Sequence, residues 1–379
     1  MNPRNPSTHE NSDTRDDAMR TLTQLVIVAF VLLMLATQAA SAITYRITDL
    51  SSVVGSTSYL TDVNNGGQIA GFVNGGSGFV YGPGRGVTQI GSLGGSGSGA
   101  YAINNVGQVV GSAVTGNGET HAFLYSPSFA LVDLGTLGGS RSDALGINDA
   151  GQVVGSSYTS DRSRPHPFLY TLGVGMVDLG TLGDGYSYAY ARAINASGIV
   201  VGSSDLPHYA ATHAFVYRPG EGLLDIGTLG GTFSDAAGIN DSGYVVGRSN
   251  LVSGGSAHAF GWTTASGMFD LGTLPGRAYS RAYGVNNAGQ AVGASGTDEW
   301  HNTHAVLFQP DRTLIDLGTL GGAESYAYAI NDSGQIVGWA QTATGEKHPV
   351  MWEIIPEPSS LAALLAGLGG FGAVIRRRR

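Results

Sequence analysis

Cysteine is absent from the 379-residue chain. This absence excludes a disulfide framework, thiolate metal ligands and a cysteine nucleophile, so the fold must depend on its core or on closure of the chain upon itself. Charged residues are also scarce, at 12% of the chain, and acidic residues outnumber basic ones by 28 to 19. Because a phosphate backbone is bound by a basic surface, the acidic balance argues against a nucleic-acid partner.

Glycine, in contrast, is abundant, with 60 of the 379 residues, against a usual share of roughly 7%. Apolar residues recur in short runs typical of strands, so the chain is neither collagen-like nor disordered. Residues 1–42 carry three Arg and four acidic residues, and residues 356–379 carry four Arg and one Glu. Since the whole chain has a net charge of −9, these two ends leave −11 on residues 43–355.

The first 42 residues have the order of a secretory signal peptide. Arg20 precedes an apolar run at residues 25–36, and the small residues Ala40 and Ala42 mark a cleavage site after Ala42. The run is too short for a membrane span. Residues 1–18 are polar and acidic, unlike the start of a signal peptide, so we expect translation to begin at Met19. The sequence therefore predicts an exported protein that signal peptidase processes.

The last 24 residues combine three features in a fixed order. Pro356-Glu357-Pro358 is followed by an apolar stretch at residues 361–375 and by Arg376, Arg377, Arg378 and Arg379. An apolar helix followed by basic residues is a membrane anchor with its positive end inside, although this one is short. The arrangement resembles the PEP-CTERM sorting signal, with an ordinary tail anchor as the alternative.

This resemblance implies transient anchoring in the inner membrane, recognition by an exosortase and cleavage near the Pro-Glu-Pro motif. It also implies a Gram-negative host that makes exopolysaccharide, and a final location at the cell surface or outside the cell.

The central region is built from repeated copies, shown by three markers that each recur along the chain. An Asn-x-x-Gly turn recurs every 40 to 47 residues, with its Asn at Asn64, Asn104, Asn148, Asn195, Asn240, Asn286 and Asn331. An Asp-Leu-Gly-Thr-Leu segment recurs at Asp133, Asp178, Asp225, Asp270 and Asp316, with weaker copies near Asp49 and Ile90. A His-Ala-Phe-like segment recurs at His121, His166, His213, His258, His304 and His348, and reads Gly78-Phe79 in the first copy. These copies resemble the HAF repeat of extracellular bacterial proteins, a resemblance that implies no particular activity.

Each copy predicts four short strands. His121 to Tyr125 and residues 131–134 read as one pair, ended by Gly138-Gly139, and residues 144–147 and 152–154 read as a second pair joined by the Asn turn. We find no helical pattern in residues 43–355. Four strands in about 45 residues is the size of a propeller blade, so the sequence predicts an all-β, seven-bladed β-propeller, with a β-solenoid as the alternative. Residues 47–50 and 348–352 are expected to pair and fasten the ring.

No asymmetric constellation typical of catalysis is found, so we predict neither a catalytic site nor a cofactor nor a metal site. The recurring His and Asp residues are interpreted as structural hydrogen-bonding groups, and the Asn turns lack the ligand ladder of a calcium loop. Function is expected in the variable loops that precede the His-Ala-Phe strands. Their candidate ligand-binding residues are Arg162, Arg164, His208, Tyr209, Glu299, Trp300 and His301.

The resulting prediction is a non-catalytic surface or matrix protein that binds exopolysaccharide or a protein partner. The alternative is a polysaccharide-active hydrolase or lyase, although no sequence feature selects a pair of carboxylates for it.

Overall fold

A computed structural model describes residues 44–355, except residues 162–163, 185–186, 253–254 and 300. The described part is all-β, as predicted, and contains 28 strands. The predicted signal peptide and the C-terminal sorting segment lie outside the described residues.

The strands form seven antiparallel units of four, which we number 1 to 7 in chain order. The first strand of the chain, β1 (Tyr45–Asp49), joins the last unit. Unit 1 contains β2 (Ser58–Val63), β3 (Ile69–Val73), β4 (Gly78–Gly82) and β5 (Gly86–Gly91). Unit 2 contains β6 (Gly94–Ile103), β7 (Val109–Thr115), β8 (Thr120–Ser126) and β9 (Phe129–Asp133). Unit 3 contains β10 (Gly138–Ile147), β11 (Val153–Thr159), β12 (Pro165–Thr171) and β13 (Gly175–Asp178). Unit 4 contains β14 (Ala189–Ile194), β15 (Val200–Asp205), β16 (Thr212–Arg218) and β17 (Gly222–Asp225). Unit 5 contains β18 (Gly230–Ile239), β19 (Val245–Leu251), β20 (Ala257–Thr263) and β21 (Gly267–Gly272). Unit 6 contains β22 (Tyr279–Val285), β23 (Ala291–Gly296), β24 (His304–Phe308) and β25 (Leu314–Asp316). Unit 7 contains β26 (Gly321–Ile330), β27 (Ile336–Thr342) and β28 (Lys347–Ile354), completed by β1.

Two details differ from the sequence-based expectation. A helical turn at Ser51–Val54 and a 3-10 turn at Pro207–Tyr209 interrupt the strands, so the expected absence of helix was wrong. Gly138-Gly139 does not separate two strands but begins the ten-residue strand β10. The His-Ala-Phe strand therefore belongs with the Val-Val-Gly strand before it, and each sequence copy spans parts of two units.

Single parallel bridges, Arg141 to Thr120 and Thr212 to Phe233, link units 2 and 3 and units 4 and 5 into eight-stranded sheets.

The two ends of the described chain pair with each other, as predicted. β1 runs antiparallel to β28, with Ile47 opposite Trp352 and Asp49 opposite Val350. Trp352 is fully buried, and its indole N–H donates to the carbonyl of Leu317 at 2.8 Å. The last unit is thus completed by the first strand, which gives the domain a closure that needs no disulfide.

The Asn turns are joined by side-chain hydrogen bonds into a closed ring. The amide of each Asn donates to the main-chain carbonyl of the next, at 2.9 to 3.1 Å, and the last amide returns to the first carbonyl. The ring members are Asn64, Asn104, Asn148, Asn195, Asn240, Asn286 and Asn331, all of which are buried. Each turn is closed by a Gly at positive φ, such as Gly151 at 76°. The predicted turn chemistry is therefore confirmed, and it also holds neighbouring units together.

A second recurring glycine lies where the strands crowd together. A Cβ on Gly155 would lie 1.9 Å from the carbonyl oxygen of Asp143, and one on Gly247 would lie 2.8 Å from a ring carbon of Phe260. The carbonyl group belongs to the first strand of the unit, next to a register shift, and the aromatic ring belongs to the third strand. A side chain at this position is therefore excluded by packing within each unit.

Candidate ligand-binding site

The first strand of each unit lines a central channel. One channel residue in each unit stands three positions before the ring Asn, and its identity changes from copy to copy. These residues are Thr61, Tyr101, Leu145, Arg192, Ala237, Tyr283 and Tyr328. The asymmetry of the domain is therefore concentrated on the channel wall, although the backbone there is repeated.

The residue two positions before the ring Asn is small in six units and acidic in one. It is Gly or Ala except at Asp62, whose two carboxylate oxygens accept the main-chain N–H groups of Val63 and Ile103, both at 2.9 Å. Burial raises the pKa of Asp62 to about 6, because the charged form loses hydration that the two backbone bonds do not fully replace. A titratable group thus lies within the channel.

At one end of the channel the wall opens into an aromatic cavity. Two adjoining spaces of about 580 and 370 Å³ share Tyr59, Arg281, Tyr283 and Tyr328 in their walls. We use "aromatic cavity" for both spaces together, and its aromatic residues are Tyr59, Phe72, Tyr101, Tyr283, Tyr326, Tyr328 and Trp339. They come from units 1, 2, 6 and 7, so the aromatic wall occupies one side of the ring.

The rings of this wall support one another. Tyr59 stacks on Phe72 with centroids 5.2 Å apart, and Tyr326 stacks on Trp339 at 5.0 Å. Tyr59 is 44% exposed, so part of the residue is accessible to a ligand. Such stacked rings keep their geometry without a partner, which lowers the entropic cost of binding a flat ligand.

Three phenols of the wall, those of Tyr283, Tyr326 and Tyr328, are neutral at physiological pH. Burial raises the pKa of Tyr283, Tyr326 and Tyr328 above the ordinary value for tyrosine. Their hydroxyls therefore act as hydrogen-bond donors and acceptors. The Tyr328 hydroxyl, for example, accepts the indole N–H of Trp339 at 3.0 Å.

Charged residues lie beside the aromatic wall as one group of three and two ion pairs. Arg192 and Arg281 both donate to the buried carboxylate of Asp235, at 2.9 and 3.0 Å. Lys347 lies 3.8 Å from Glu324 and 4.2 Å above the ring of Trp339. A further pair, Glu299 with Arg248, completes the charged rim.

The structure separates the residues that we predicted to bind a ligand. Of these, Glu299 lines the aromatic cavity, and its main-chain carbonyl accepts the Tyr326 hydroxyl at 2.9 Å. His301 pairs with Asp298 at 2.9 Å on the same loop. Arg162 and Trp300 lie outside the described residues.

The other predicted loop residues meet in a second place. The Arg164 guanidinium lies 4.4 Å from the ring of Tyr188 and 3.5 Å from the Tyr209 hydroxyl. The neighbouring His208 has a positive φ of 59°, which fixes the turn of its loop. This cluster bridges the loops of units 3 and 4 and does not line the aromatic cavity.

Sequence reasoning missed most of the cavity wall, although a signal was present. The residues three and five positions before each marker Asn vary among the copies, and they include Tyr59, Tyr101, Tyr283, Tyr326 and Tyr328. The sequence predicts variable binding residues in the loops, whereas the structure also has variable residues on the first strand of each unit.

The recurring His and Asp residues have structural partners, as interpreted. Each of the six His residues contacts the carboxylate of one marker Asp through Nδ1, at 2.7 to 3.0 Å. The same Asp accepts a main-chain N–H two residues later, as in Gly135 to Asp133 at 2.8 Å. Burial alone would raise the pKa of Asp316, but the hydrogen bonds of His304 and Gly318 lower it overall. No group of three or more His, Asp or Glu residues in the described part of the chain is placed to hold a metal ion.

Comparison with protein families gives a match at the C-terminus. The model of the PEP-CTERM protein-sorting motif matches residues 355–379. The chain carries a PEP-CTERM motif. The motif marks an exported protein that is sorted through the exosortase pathway. A search of curated proteins finds no match.

Solved structures with a similar arrangement share little sequence with the chain. Dipeptidyl peptidase 4 of Porphyromonas gingivalis has a TM-score of 0.46 and 11% identity over 79% of this chain and 50% of its own, so the chain spans half the length of that protein. A gluconolactonase of Xanthomonas campestris has a TM-score of 0.42 and 11% identity, covering 84% of this chain and 93% of its own. A Trypanosoma rangeli sialidase has a TM-score of 0.37 and 10% identity, covering 86% and 57%.

The described chain ends at Ile355, just after β28, and this end of the strand lies away from the aromatic cavity. Lys347, at the start of β28, lines the cavity, whereas Ile354, at its end, packs against Gly334 in the Asn turn of unit 7. Seven residue steps of extended chain separate these two points by about 23 Å. Among the described residues, no helix has the length and apolar character needed to cross a membrane.

Proposed function

We propose that the domain is a seven-bladed β-propeller whose blades are the seven four-stranded units. The Asn331 to Asn64 bond carries this proposal, because a solenoid would hold its first and last copies far apart. A compact domain of about 310 residues has a radius of gyration of roughly 20 Å, and small-angle scattering from an elongated rod would contradict the proposal. The resemblance to the HAF repeat stays a prediction.

We propose further that the protein is a non-catalytic component of the cell surface or extracellular matrix that binds exopolysaccharide in the aromatic cavity. The observation that carries this proposal is the one-sided cluster of aromatic side chains on an otherwise repeated scaffold. A structural role alone would place the same residue in every copy. Signal peptidase and exosortase are its proposed processing partners.

The cavity suits a carbohydrate in size and chemistry. Its larger space, about 580 Å³, lies within the range usual for small-ligand sites. Flat aromatic faces pack against the C–H face of a sugar ring, and the phenols and charged groups around them supply hydrogen bonds for its hydroxyls. A protein partner would bury a larger and flatter surface than this cavity offers.

The test is retention of residues 43–355 on exopolysaccharide from the native host, with two variants in parallel. This fragment contains β1 to β28 and so keeps both terminal strands. Tyr59→Ala removes an exposed ring of the cavity, and Phe129→Ala is the matched control, because Tyr59 and Phe129 are 44% and 45% exposed. We expect retention of the parent and of Phe129→Ala and loss of retention in Tyr59→Ala. Flow-through of the parent, or equal retention of all three, would reject the site.

One observation favours a second candidate, a polysaccharide hydrolase or lyase. Glu299 and Glu324 line the same cavity, as a pair of catalytic carboxylates would. Each is paired with a cation, however, whereas glycoside hydrolysis needs one carboxyl group that carries a proton. Release of reducing ends from the host polysaccharide, abolished by Glu324→Gln, would replace the binding proposal with this one.

A further inference from the structure

Three charged residues from three neighbouring units meet at the wall of the aromatic cavity. Arg192 of unit 4 and Arg281 of unit 6 both bind the carboxylate of Asp235 in unit 5. The side chain of Asp235 is only 4% exposed, whereas that of Arg192 is 38% exposed. Two guanidinium groups therefore share one buried carboxylate, and one of them is open to the cavity.

The other charged residues around the cavity do not balance the excess positive charge of the two arginines that share Asp235. Arg248 is paired with Glu299, and Lys347 is paired with Glu324. Asp62 lies further along the channel in unit 1, and the backbone engages both of its oxygens. The cavity wall thus carries one positive charge more than its acidic partners supply, although residues 43–355 have a net charge of −11.

The hydrogen-bonding capacity of these arginines is also incomplete. Arg192 reaches Asp235 through Nε, and a guanidinium has four more N–H donors in its fork. The Nε of Arg281 is buried and has no hydrogen-bond partner. Arg281 also lies over the Tyr283 ring, with its guanidinium carbon 4.6 Å from the ring centroid, which holds its plane beside the aromatic wall. Planar donors beside a stacking surface suit a planar anion attached to a sugar ring.

We propose that the aromatic cavity takes an acidic sugar, with Arg192 binding the carboxylate of a uronic acid residue while the aromatic wall packs against its ring. This inference rests on the proposed function and names the class of its ligand. The acidic charge of the whole domain repels polyanions at long range, so binding of a uronate polymer would have to come from the local site.

The test compares two polymers that differ only in the anionic group. Polygalacturonate carries the carboxylates, and its carboxyl-reduced form is the corresponding neutral polymer. We expect the parent domain, residues 43–355, to bind polygalacturonate about tenfold more tightly, and Arg192→Gln to bind both polymers equally. Arg141→Gln is the matched control, because Arg141 also pairs with an Asp through Nε at 2.8 Å but does not line the cavity. It should keep the preference.

The outcomes separate this inference from the proposed function. Equal binding of both polymers by the parent domain, or a preference that survives in Arg192→Gln, would overturn the acidic-sugar assignment and leave the cavity as a neutral-sugar site. Binding of neither polymer would also overturn it, and retention on the native exopolysaccharide would then judge the proposed function independently. If Arg192→Gln fails to fold, Arg192→Lys keeps the positive charge beside Asp235 and should show a reduced preference, because a lysine cannot form the paired bonds of a guanidinium.

Discussion

Replacing Asn331 with Ala tests whether the last unit is joined to the first as firmly as any other neighbours. The Asn331 amide donates to the Asn64 carbonyl at 2.9 Å and to the Gln335 side chain at 2.9 Å. Its oxygen accepts the main-chain N–H groups of Ser333 and Gln335, at 3.1 and 2.9 Å, and the Ser333 hydroxyl at 2.8 Å. Asn331→Ala removes all five bonds at a site that is 4% exposed.

The expected loss follows from these contacts. A typical hydrogen bond contributes about 0.5–1.5 kcal/mol, and a buried group left without a partner costs about 1–3 kcal/mol. The Gly334 to Asn331 backbone bond of the turn remains, so the turn itself can persist. We therefore expect the free energy of unfolding to fall by about 3–5 kcal/mol. For a domain of this length, that loss lowers the melting temperature by about 5–8 °C.

The assay is equilibrium denaturation of residues 43–355, with Asn240→Ala as the interior control. Asn240 donates to the Asn286 carbonyl at 3.0 Å and accepts three bonds, but it lacks a glutamine partner because Tyr244 stands in that place. The two variants should therefore lose similar stability, with Asn331→Ala equal or slightly worse. A loss below about 1 kcal/mol for Asn331→Ala, beside the full loss for Asn240→Ala, would show that the ring is open between Asn331 and Asn64 and would refute the reasoning.

Three other predictions concern the channel, the strand packing and the direction of the domain. Folding raises the pKa of Asp62 from 3.8 to about 6. Its contribution to stability is therefore present below about pH 4 and is lost as the pH rises through 6. Denaturation across this pH range should show a falling free energy of unfolding in the parent and no such fall in Asp62→Ala. Gly247→Ala should destabilise by more than about 2 kcal/mol, because its Cβ would lie 2.0 Å from a carbonyl oxygen, whereas Gly116→Ala has open space and should melt like the parent. We propose that the C-terminal segment anchors a precursor in the membrane, and the described chain ends at Ile355, near the Asn turn of unit 7. A fluorophore on Val106→Cys, in an exposed Asn turn, should then lie nearer the bilayer than one on Thr57→Cys at the aromatic cavity. Energy transfer to a membrane dye measures this, and the reverse order would contradict the proposal.

The local parts of this fold were predictable because local chemistry determines them. The Asn-x-x-Gly turn follows from Asn at its first position and from a Gly that accepts positive φ, as at Gly151. The pairing of residues 47–50 with residues 348–352 followed from the pairing of the same two segments in the interior copies. Repetition made these inferences robust, since each was read several times in one chain.

The grouping of strands and the cavity were not predictable in the same way. Both depend on contacts between residues that are distant in the chain. The hydrogen bonds from Arg192 and Arg281 to Asp235 span 43 and 46 residues and join consecutive units, and no spacing rule in the sequence indicates which side chains of neighbouring copies meet. The strand that begins at Gly138-Gly139 was misread for a related reason. A Gly pair ends a strand in isolation, whereas here the register shift between Gly138 and Ser142 accommodates it inside one.

In each copy, some residues maintain the repeated backbone and others line the channel, and this difference explains where the candidate site forms. The ring Asn, the turn Gly and the crowded Gly recur in all seven copies and maintain the repeated backbone, and a His–Asp pair is present in six copies. The position three residues before each Asn lines the channel, and it is free of this structural requirement. It holds Thr, Tyr, Leu, Arg, Ala, Tyr and Tyr in the seven copies, and it supplies three of the seven aromatic residues of the cavity and the cation Arg192. Seven nearly equal copies can therefore produce one asymmetric site, provided that recognition depends on residues that the scaffold leaves free.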